Sequence, residues 1–515
     1  ENMKSLSGKR SSQYIAAVNN MARVLNSMVE NPYTAHNYIS DYYSNYTTLG
    51  SWLSEMTKMP LSLDRIEISA PDAKQDNHNS GFVKNIIFSI KRFLVSFNSD
   101  YNTISDVTSN DTSALKIWVN WGRDQAMVLN SLIQESFVAE TGIGVNLELT
   151  NASLIKGILS GISPDLSLHL SRTEPVNLAM RGALYNLNNF DDYSEVMKRF
   201  GESAGEPYSY KGGNYALPDT QAFYIMFYRT DVFEKFNLTV PSTWDEFIDT
   251  MVAIQRNNLQ VYLPYVQITD ATTVNTGFGG LNLFPSVLMQ QGVSIYDDSL
   301  TCSMLDSTVS HKVFSFWTDL YTKYKVPTVS SFYNRFRVGT TPLGIETYTT
   351  YTTLIEAAPE IYGKWDIAMV PGTIREDGTV DHTVSGSGTG CSILQASQNK
   401  EAAWEFLKWW TSAEVQLKYN NNVESILGPV SRTTTANLEA FSNMSWDNKH
   451  LDTLLSQREW IKEIPEVPGS YYLSRAVDQA FWEVYNKKKN PKETLNKWNG
   501  VANSEISRKI KEYSN

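Results

Sequence analysis

Apolar residues recur every three or four positions through the first hundred residues of the chain. Val24 and Met28 lie at this spacing, which is the period of an amphipathic helix. The same spacing returns over residues 34–59 and 83–97. We therefore predict a helical N-terminal extension over residues 1–112, whose last part is a polar linker.

The pattern changes from residue 114 onward, where short apolar runs alternate with helical segments. Residues 115–119 and 145–149 have the pattern of strands, and the helical spacing between them, which Asp124 is predicted to cap, stops at Gly142. A glycine just beyond a helical pattern is a common helix end. A strand, a helix and a second strand form a βαβ unit, which favours a parallel pair in one sheet. Because residues 165–170 continue the alternation, the pattern predicts a doubly wound α/β fold.

Glycine and capping residues predict three local features. Gly212 and Gly213 favour a tight hairpin turn, and Ser242 or Thr243 is suited to cap a helix followed by acidic residues. Residues 385–390 alternate glycine with serine or threonine, but they match no phosphate-binding loop. We interpret this segment as a place where the backbone passes close to another segment or a ligand.

The charge balance excludes some classes of partner. The chain of 515 residues has a net charge of −11 and a pI near 5.2, whereas nucleic-acid binding needs clustered Lys and Arg. No stretch approaches 18 uninterrupted apolar residues, so no membrane-spanning helix is predicted. Glu1 is not a natural start, and we expect that an export signal or lipid anchor belongs to a preceding segment.

Sequence motifs for catalysis or metal binding are absent. The six histidines lack metal-ligand spacing, and neither HExxH, CxxC nor GxSxG occurs, so we expect no catalytic residue, no metal and no cofactor. Carboxylates are plentiful, and an acidic pair for glycoside hydrolysis stays an alternative, because spacing along the chain does not determine which carboxylates meet. Cys302 and Cys391 are predicted either to pair or to be buried thiols.

Six segments of the chain, in order, resemble motifs of the carbohydrate-binding extracellular solute-binding proteins of ABC importers, of which the maltodextrin-binding type is the best known. Each motif is weak alone, and the six together are a specific signal because their order is that of the family. The resemblance does not cover residues 1–112. The six segments are residues 182–187 (GALYNL), 211–218 (KGGNYALP), 228–246 (from YRTDVF to PSTWDE), 364–372 (KWDIAMVPG), 399–407 (NKEAAWEFL) and 428–432 (GPVSR).

The resemblance implies a two-lobed periplasmic-binding-protein-like α/β fold of type II, with the N-terminal helical region as an addition. Lobe 1 would comprise residues 113–227 plus 366–425, and lobe 2 residues 228–365 plus 426–515. It further implies a monomeric extracellular protein, secreted or tethered as a lipoprotein. Such a protein closes on a sugar or oligosaccharide, catalyses nothing and delivers its ligand to the permease subunits of the importer.

Polar and aromatic residues at the ends of the first and third predicted strands are candidate ligand contacts. Ligands of open α/β sheets bind beyond the carboxyl ends of the strands, and Trp rings stack on the apolar face of a sugar. Trp118 has an equally weighted interpretation as an inward-facing core residue. The candidates at these strand ends are Trp118, Asn120, Trp121, Arg123, Ser171 and Arg172.

The resemblance adds candidates farther along the chain, where similar proteins cross between lobes or present aromatic platforms. Phe223 and Tyr224 are expected to be hinge core instead of ligand contacts. The added candidates are Asp219, Gln221, Glu346, Tyr348, Gly386, Ser387, Tyr471 and Tyr472.

Two other functions remain in competition with transport. A glycoside hydrolase or lyase on a similar scaffold would lose its turnover when a cleft carboxylate such as Glu346 becomes Gln. A sensor that presents its ligand to a receptor would share the site and differ only in its partner.

Overall fold

The computed structural model describes residues 13–30, 32–33, 38, 114–150, 154–265 and 283–513. The chain divides into two units, Glu1–Tyr101 and Asn102–Asn515. In the first unit, helix α1 spans Gln13–Glu30 and confirms the first predicted helix. The helices predicted over residues 34–59 and 83–97 lie outside the described residues, apart from position 38.

The second unit alternates strands and helices from its first strand onward. The strands are β1 (Leu115–Val119), β2 (Val145–Leu149), β3 (Leu166–Ser171), β4 (Ser209–Tyr210), β5 (Gly213–Asn214), β6 (Leu217–Tyr228), β7 (Val261–Tyr262), β8 (Leu343–Thr347), β9 (Asp366–Ala368), β10 (Thr373–Ile374), β11 (Val380–Asp381), β12 (Val384–Ile393) and β13 (Ile461–Lys462). The helices are α2 (Arg123–Leu132), α3 (Val138–Thr141), α4 (Leu154–Leu159), α5 (Glu174–Ala179), α6 (Tyr193–Met197), α7 (Thr230–Phe236), α8 (Trp244–Arg256), α9 (Phe284–Gln290), α10 (Thr308–Thr322), α11 (Phe332–Arg337), α12 (Thr350–Ala357), α13 (Lys400–Trp410), α14 (Ala413–Leu427), α15 (Leu438–Asn443), α16 (Asn448–Glu459), α17 (Ser470–Lys487) and α18 (Pro491–Glu512).

One large sheet runs through this unit in the order β2-β1-β3-β12-β6-β8-β7, with β13 beside β12 and β9 beside β6. Strands β1 and β2 are parallel, with Leu115 opposite Val145, which confirms the predicted βαβ unit. Strand β12 is antiparallel to both β3 and β6. The fold is therefore mixed α/β, with a parallel portion at one edge and long antiparallel strands in the middle.

The local signals in the sequence form the structures that they predict, with one shift. Helix α2 begins at Arg123 with Gly122 as its N-cap, so Asp124 lies in the first turn instead of capping it. The helical segment continues through a single π-helical turn to α3 and ends at Gly142, whose φ is 71°. At the start of α8, Thr243 and Glu246 form a capping box.

The predicted hairpin turn forms between β4 and β5, with Gly212 at its centre and Gly213 as the first residue of β5. Lys211 and Gly212 both have positive φ, 48° and 77°, as the two central residues of a type I′ turn do. Such a turn matches the right-handed twist of the two strands that it connects.

Two large hydrophobic clusters form the core, one on each side of the middle of the sheet. One cluster includes Leu115, Phe137 and Trp404, and the other includes Phe227 and Trp317. The long strands β6 and β12 contribute residues to both clusters. The lobe limits predicted from the sequence stay a prediction, because the sheet is continuous through both halves.

Phe223 and Tyr224 are fully buried in the second cluster, as expected for hinge core. Cys302 and Cys391 are both free thiols, so the structure decides against a disulfide between them. None of the helices in the described ranges is long and apolar enough to cross a membrane.

The glycine-rich segment lies inside β12, where it pairs with β6. Gly386 is opposite Phe223 and Gly388 is opposite Gln221. A Cβ atom on Gly388 would overlap the backbone carbonyl oxygen of Thr220. The predicted close approach of two backbone segments is thus confirmed at this glycine.

We expect Gly388→Ala to lower the free energy of unfolding by about 1–3 kcal/mol, the usual cost of overpacking, because the neighbour is rigid backbone. Gly500→Ala is the matched control. Gly500 lies within α18 with open space at its Cβ position, and alanine there should stabilise the helix by about 0.5–1 kcal/mol. Urea denaturation of both variants measures the difference, and equal stability of the Gly388 variant and the wild type would contradict the prediction.

Candidate functional site

A cavity of about 190 Å³ lies at the carboxyl ends of β1 and β3, where β6 and residues 431–435 pass beside them. We call it the hinge cavity. This position at the strand ends is where open α/β sheets bind ligands. Its lining residues are Trp121, Gln125, His169, Asp219, Thr220, Trp410, Gln416, Tyr419, Ser431, Arg432, Thr433, Thr434 and Thr435.

Aromatic rings form one wall of the hinge cavity. The half-buried indole of Trp121 stacks on Tyr419 with centroids 5.5 Å apart, and it lies 5.6 Å from both Trp410 and the His169 ring. These rings come from the segment after β1 and from β3, α13 and α14, so four parts of the chain must pack before the wall exists. The result is a rigid apolar surface next to polar groups, which is the usual composition of a small-molecule site.

Asp219 organises the polar side of the cavity from β6. Its carboxylate accepts hydrogen bonds from Trp410 Nε1 (2.9 Å) and Thr389 Oγ1 (3.3 Å), and its other contact is His169 Nδ1 (3.0 Å). The carboxylate is almost completely buried, while the His169 ring is about one third exposed. Side chains of the protein therefore hold Asp219, and among them the ring of His169 is partly exposed.

His169 has a left-handed backbone conformation, with φ of 59° inside β3. A non-glycine residue in this region stores about 1–3 kcal/mol of strain, and such strain is concentrated at functional sites. The partner strand β12 has a register shift between Gly390 and Ser392 at this level. The irregularity turns the imidazole toward Asp219 and the cavity.

A buried ion cluster lies beside the hinge cavity, around Arg172 at the end of β3. The guanidinium pairs with Glu463 and, at 2.9 Å, with Glu466, and it also donates to the carbonyl oxygens of Gly386 and Ile464. Both Arg172 and Glu463 have side chains less than 5% exposed. Burial alone would lower the pKa of Arg172, but the two carboxylates outweigh it and hold that pKa above its ordinary value.

Gln221 connects this ion cluster to the central strands. Its amide donates to Glu463 Oε1 at 2.8 Å, and its own backbone N–H donates to Thr434 O at 2.7 Å. Gln221 also borders a larger groove of about 920 Å³, which includes Glu202, Glu206 and Lys462. This outer groove is richer in charge and poorer in aromatic rings than the hinge cavity.

The structure brings together Arg172, Gln221 and Gly386 from the predicted set, and it separately places Trp121 and Asp219 in the hinge cavity. Asn120 and Arg123 are exposed next to Trp121. Ser171 is half-buried at the end of β3, and its hydroxyl donates to Glu174 at 2.7 Å. Ser387 is buried in β12.

Trp118 and Tyr348 lie in the core instead of on a cleft wall, which decides for the core alternative at Trp118 and corrects the prediction for Tyr348. Trp118 packs in a small cluster with Leu154 and Leu170, and its indole N–H donates to Glu148 at 2.7 Å. Tyr348 is 2% exposed and is surrounded by aromatic rings of the second cluster. The side chain of Trp118 alternates inward along β1, and Tyr348 directly follows β8; apolar composition alone reveals neither placement.

Glu346, Tyr471 and Tyr472 lie outside the hinge cavity. Glu346 is largely buried on β8, where burial raises the pKa of its carboxyl and the hydroxyl of Tyr262 donates to it. Tyr471 and Tyr472 contact each other, with centroids 4.1 Å apart, and Tyr472 also accepts from Arg508 of the C-terminal helix. The two tyrosines therefore lie in the first turn of α17, where Tyr472 contacts α18.

Sequence reasoning missed several residues of the hinge cavity and of the buried ion cluster. His169 carried a signal, because it precedes the predicted strand end by one residue. Trp410 and Tyr419 lie more than 200 positions away in helices, and Glu463 and Glu466 follow a later helix, so no spacing rule connects them to β3. In the described part of the chain, no group of three or more His, Cys, Asp or Glu side chains is arranged to hold a metal ion.

Residues 135–450, more than half of the chain, match a family model described as bacterial extracellular solute-binding protein. A maltotriose-binding protein of Pyrococcus abyssi is 23% identical over 306 residues, which cover 58% of this chain and 62% of the relative. A binding protein of Brucella abortus is 25% identical over 389 residues, covering 70% of this chain and 86% of the relative.

Solved structures share the fold of this chain. The sugar-binding protein MalE of Xanthomonas citri has a TM-score of 0.64 at 17% identity, and the alignment covers 78% of this chain and 99% of that one. A cyclic alpha-maltosyl-1,6-maltose binding protein of Arthrobacter globiformis has a TM-score of 0.61 at 16% identity, covering 77% and 99%. These likenesses confirm the predicted two-lobed binding-protein fold.

We expect Arg172→Met to lower the free energy of unfolding by about 3–5 kcal/mol, because it leaves buried carboxylates without a cation. The double variant with Glu463→Gln should recover part of the loss. Lys198→Met is the control, since Lys198 pairs with Glu195 on an exposed surface and should change stability by less than about 1 kcal/mol. Chemical denaturation gives these values, and an Arg172 variant as stable as its control would disprove a buried ion cluster.

Proposed function

This chain belongs to the bacterial extracellular solute-binding proteins, and we propose that it binds a sugar or oligosaccharide between two hinged lobes and delivers it to the membrane permease of an ABC importer. The observation that carries the proposal is the hinge cavity, in which an aromatic wall faces polar groups whose charges are paired within the protein. The family and the similar structures are binding proteins, and no chemical step is assigned to this site.

The chemistry of the hinge cavity favours a neutral, hydroxyl-rich solute. The Trp121 indole offers an apolar face for a pyranose ring. Polar groups of the lining can exchange hydrogen bonds with sugar hydroxyls, namely the amides of Gln125 and Gln416 and the hydroxyls of Ser431, Thr433, Thr434 and Thr435. The charges nearby are already compensated, because Arg432 pairs with Glu424 at 2.7 Å and Asp219 is held by its protein donors.

The named relatives support the same class of ligand. The similar proteins from Pyrococcus abyssi and Arthrobacter globiformis are named for maltotriose and for a cyclic maltosyl-maltose. Pockets for drug-sized ligands usually measure about 300–1,000 Å³, and the hinge cavity is smaller. We therefore propose that it holds one sugar ring of an oligosaccharide whose remainder lies outside the cavity.

Among the predicted contacts, Trp121 and Asp219 are proposed to act in the hinge cavity, and Asn120 and Arg123 at its exposed edge. Arg172, Gln221 and Gly386 are proposed to hold β3, β6 and β12 to residues 461–466. A ligand that touches both halves stabilises the closed arrangement by its differential affinity. The closed form is then the one that the permease recognises.

We propose that the protein works as a monomer outside the cell membrane, either secreted or tethered by a lipid anchor. The family description supports an extracellular location, and a permease would receive the ligand from that side of the membrane.

We expect maltotriose at a hundred times its dissociation constant to stabilise the wild type by about 2.7 kcal/mol, as mass action requires.

Trp121→Ala should weaken binding by about ten- to a hundredfold, since burying such a side chain contributes about 1.5–3 kcal/mol. Thermal shift and isothermal titration calorimetry measure both effects.

Trp498→Ala is the control for Trp121→Ala, because Trp498 is a half-buried indole on α18 and should leave affinity unchanged. Chromatography of the incubated saccharide tests for turnover. Stabilisation by amino acids or metals but by no neutral saccharide, or conversion of the saccharide into product, would refute the proposed function.

A further inference from the structure

His169 and Asp219 form a hydrogen-bonded pair at the hinge cavity. The pair can determine whether a ligand group must donate or accept a hydrogen bond there. We infer that Asp219 positions His169 so that the Nε2 atom of the imidazole accepts a hydrogen bond from a hydroxyl group of the ligand. This inference rests on the proposed function, because it needs a saccharide in the hinge cavity.

The partners of Asp219 determine which imidazole nitrogen carries the proton. Trp410 Nε1 can only donate, and it occupies Oδ1 at 2.9 Å. The other oxygen, Oδ2, lies 3.0 Å from His169 Nδ1. An ionised carboxylate only accepts hydrogen bonds, so Nδ1 carries the proton and donates it to Oδ2. In the neutral imidazole the second nitrogen, Nε2, then has a free lone pair.

Thr389 is consistent with this assignment. Its hydroxyl lies 3.1 Å from His169 Nδ1 and 3.3 Å from Asp219 Oδ2, and 2.7 Å from the hydroxyl of Thr220. A hydroxyl can accept from one neighbour while it donates to another. Thr389 therefore supports the carboxylate without competing for the proton on Nδ1.

The Nε2 atom is the part of the pair that a ligand can reach. The ring is about one third exposed while Asp219 is 2% exposed, and Nε2 has no hydrogen bond to any residue in the described ranges. Trp121 packs against the ring at 70°, so the aromatic wall and the nitrogen lone pair meet at one corner of the cavity. A sugar ring stacked on Trp121 has hydroxyl groups at its edge.

The same geometry discriminates between classes of ligand. A sugar hydroxyl can donate to Nε2, whereas an ionised carboxylate or phosphate has no proton to donate. An anion at this point would also meet the lone pair with the negative charge of Asp219 behind it. His169 therefore favours neutral saccharides over sugar acids and sugar phosphates.

Nuclear magnetic resonance tests the pair in the intact wild-type protein. Long-range proton–nitrogen spectra of the histidine rings should show His169 protonated at Nδ1, and the nitrogen shift of Nε2 should move when maltotriose is added. The His169 signals are assigned by their loss in His169→Phe. A ring protonated at Nε2, or an Nε2 shift that does not change with bound maltotriose, would overturn the inference.

Asp219→Asn provides a second readout. Trp410 still needs an acceptor, so the amide oxygen should face it and the amide N–H should face His169. The proton should then move to Nε2, and this change of tautomer is visible in the same spectra. A purely structural Asp219 would not produce such a change.

Affinities separate the inference from the proposed function. Losing one hydrogen bond should weaken maltotriose binding about three- to tenfold in the His169→Phe variant, whereas in Asp219→Asn the protonated Nε2 can still donate to a sugar hydroxyl. His311→Phe is the control, because His311 contacts Asn496 in another part of the structure. If the wild type binds no neutral saccharide, the proposed function fails. If the wild type binds maltotriose and His169→Phe binds it equally well, only the inference fails.

Discussion

The antiparallel pairing of β6 and β12 is the contact on which the rest of this unit depends. The two strands run side by side from Leu217 opposite Cys391 to Phe223 opposite Gly386, and each contributes to both hydrophobic clusters. Gly388 has no side chain, so the backbones of β6 and β12 can approach each other closely at this position. The two strands then pass together between the halves. Asp219, Gln221 and Thr389 of the candidate site lie on this pair of strands.

Two polar clusters lie along β6. Asp219 and Gln221 are two positions apart, with the register shift between β6 and β12 falling at Asp219, and they hold different partners. Asp219 organises His169 and Trp410 at the hinge cavity, whereas Gln221 joins Glu463 and Arg172. A single strand thus connects a place that can receive a ligand to a buried ion cluster that holds β3 against residues 461–466.

The ion cluster and the hinge cavity have opposite requirements for charge. Arg172 and its glutamates are buried, so their mutual attraction must offset a large desolvation cost, and the arrangement tolerates no missing partner. In the hinge cavity, the charge of Asp219 is shielded by donors of the protein. The cavity therefore presents aromatic rings, hydroxyls and one imidazole to a solute. A neutral, hydroxyl-rich ligand meets that surface without burying a new charge.

Sequence alone was sufficient for features that depend on neighbouring residues. Helical spacing predicted α1, the β1–β2 unit followed from alternating apolar runs, and the glycines at 212 and 388 marked a turn and a close approach, because each of these features is decided within a few residues. Trp121 and Asp219 were identified as candidates from their places at a strand end and in a family motif. The tertiary structure decided the rest. Whether Trp118 and Tyr348 faced inward depended on strand register, and the partners of Arg172 and His169 came from segments between 50 and nearly 300 positions away. Which side chains meet across such distances is set by packing of the whole unit, and that packing has no local signature in the chain.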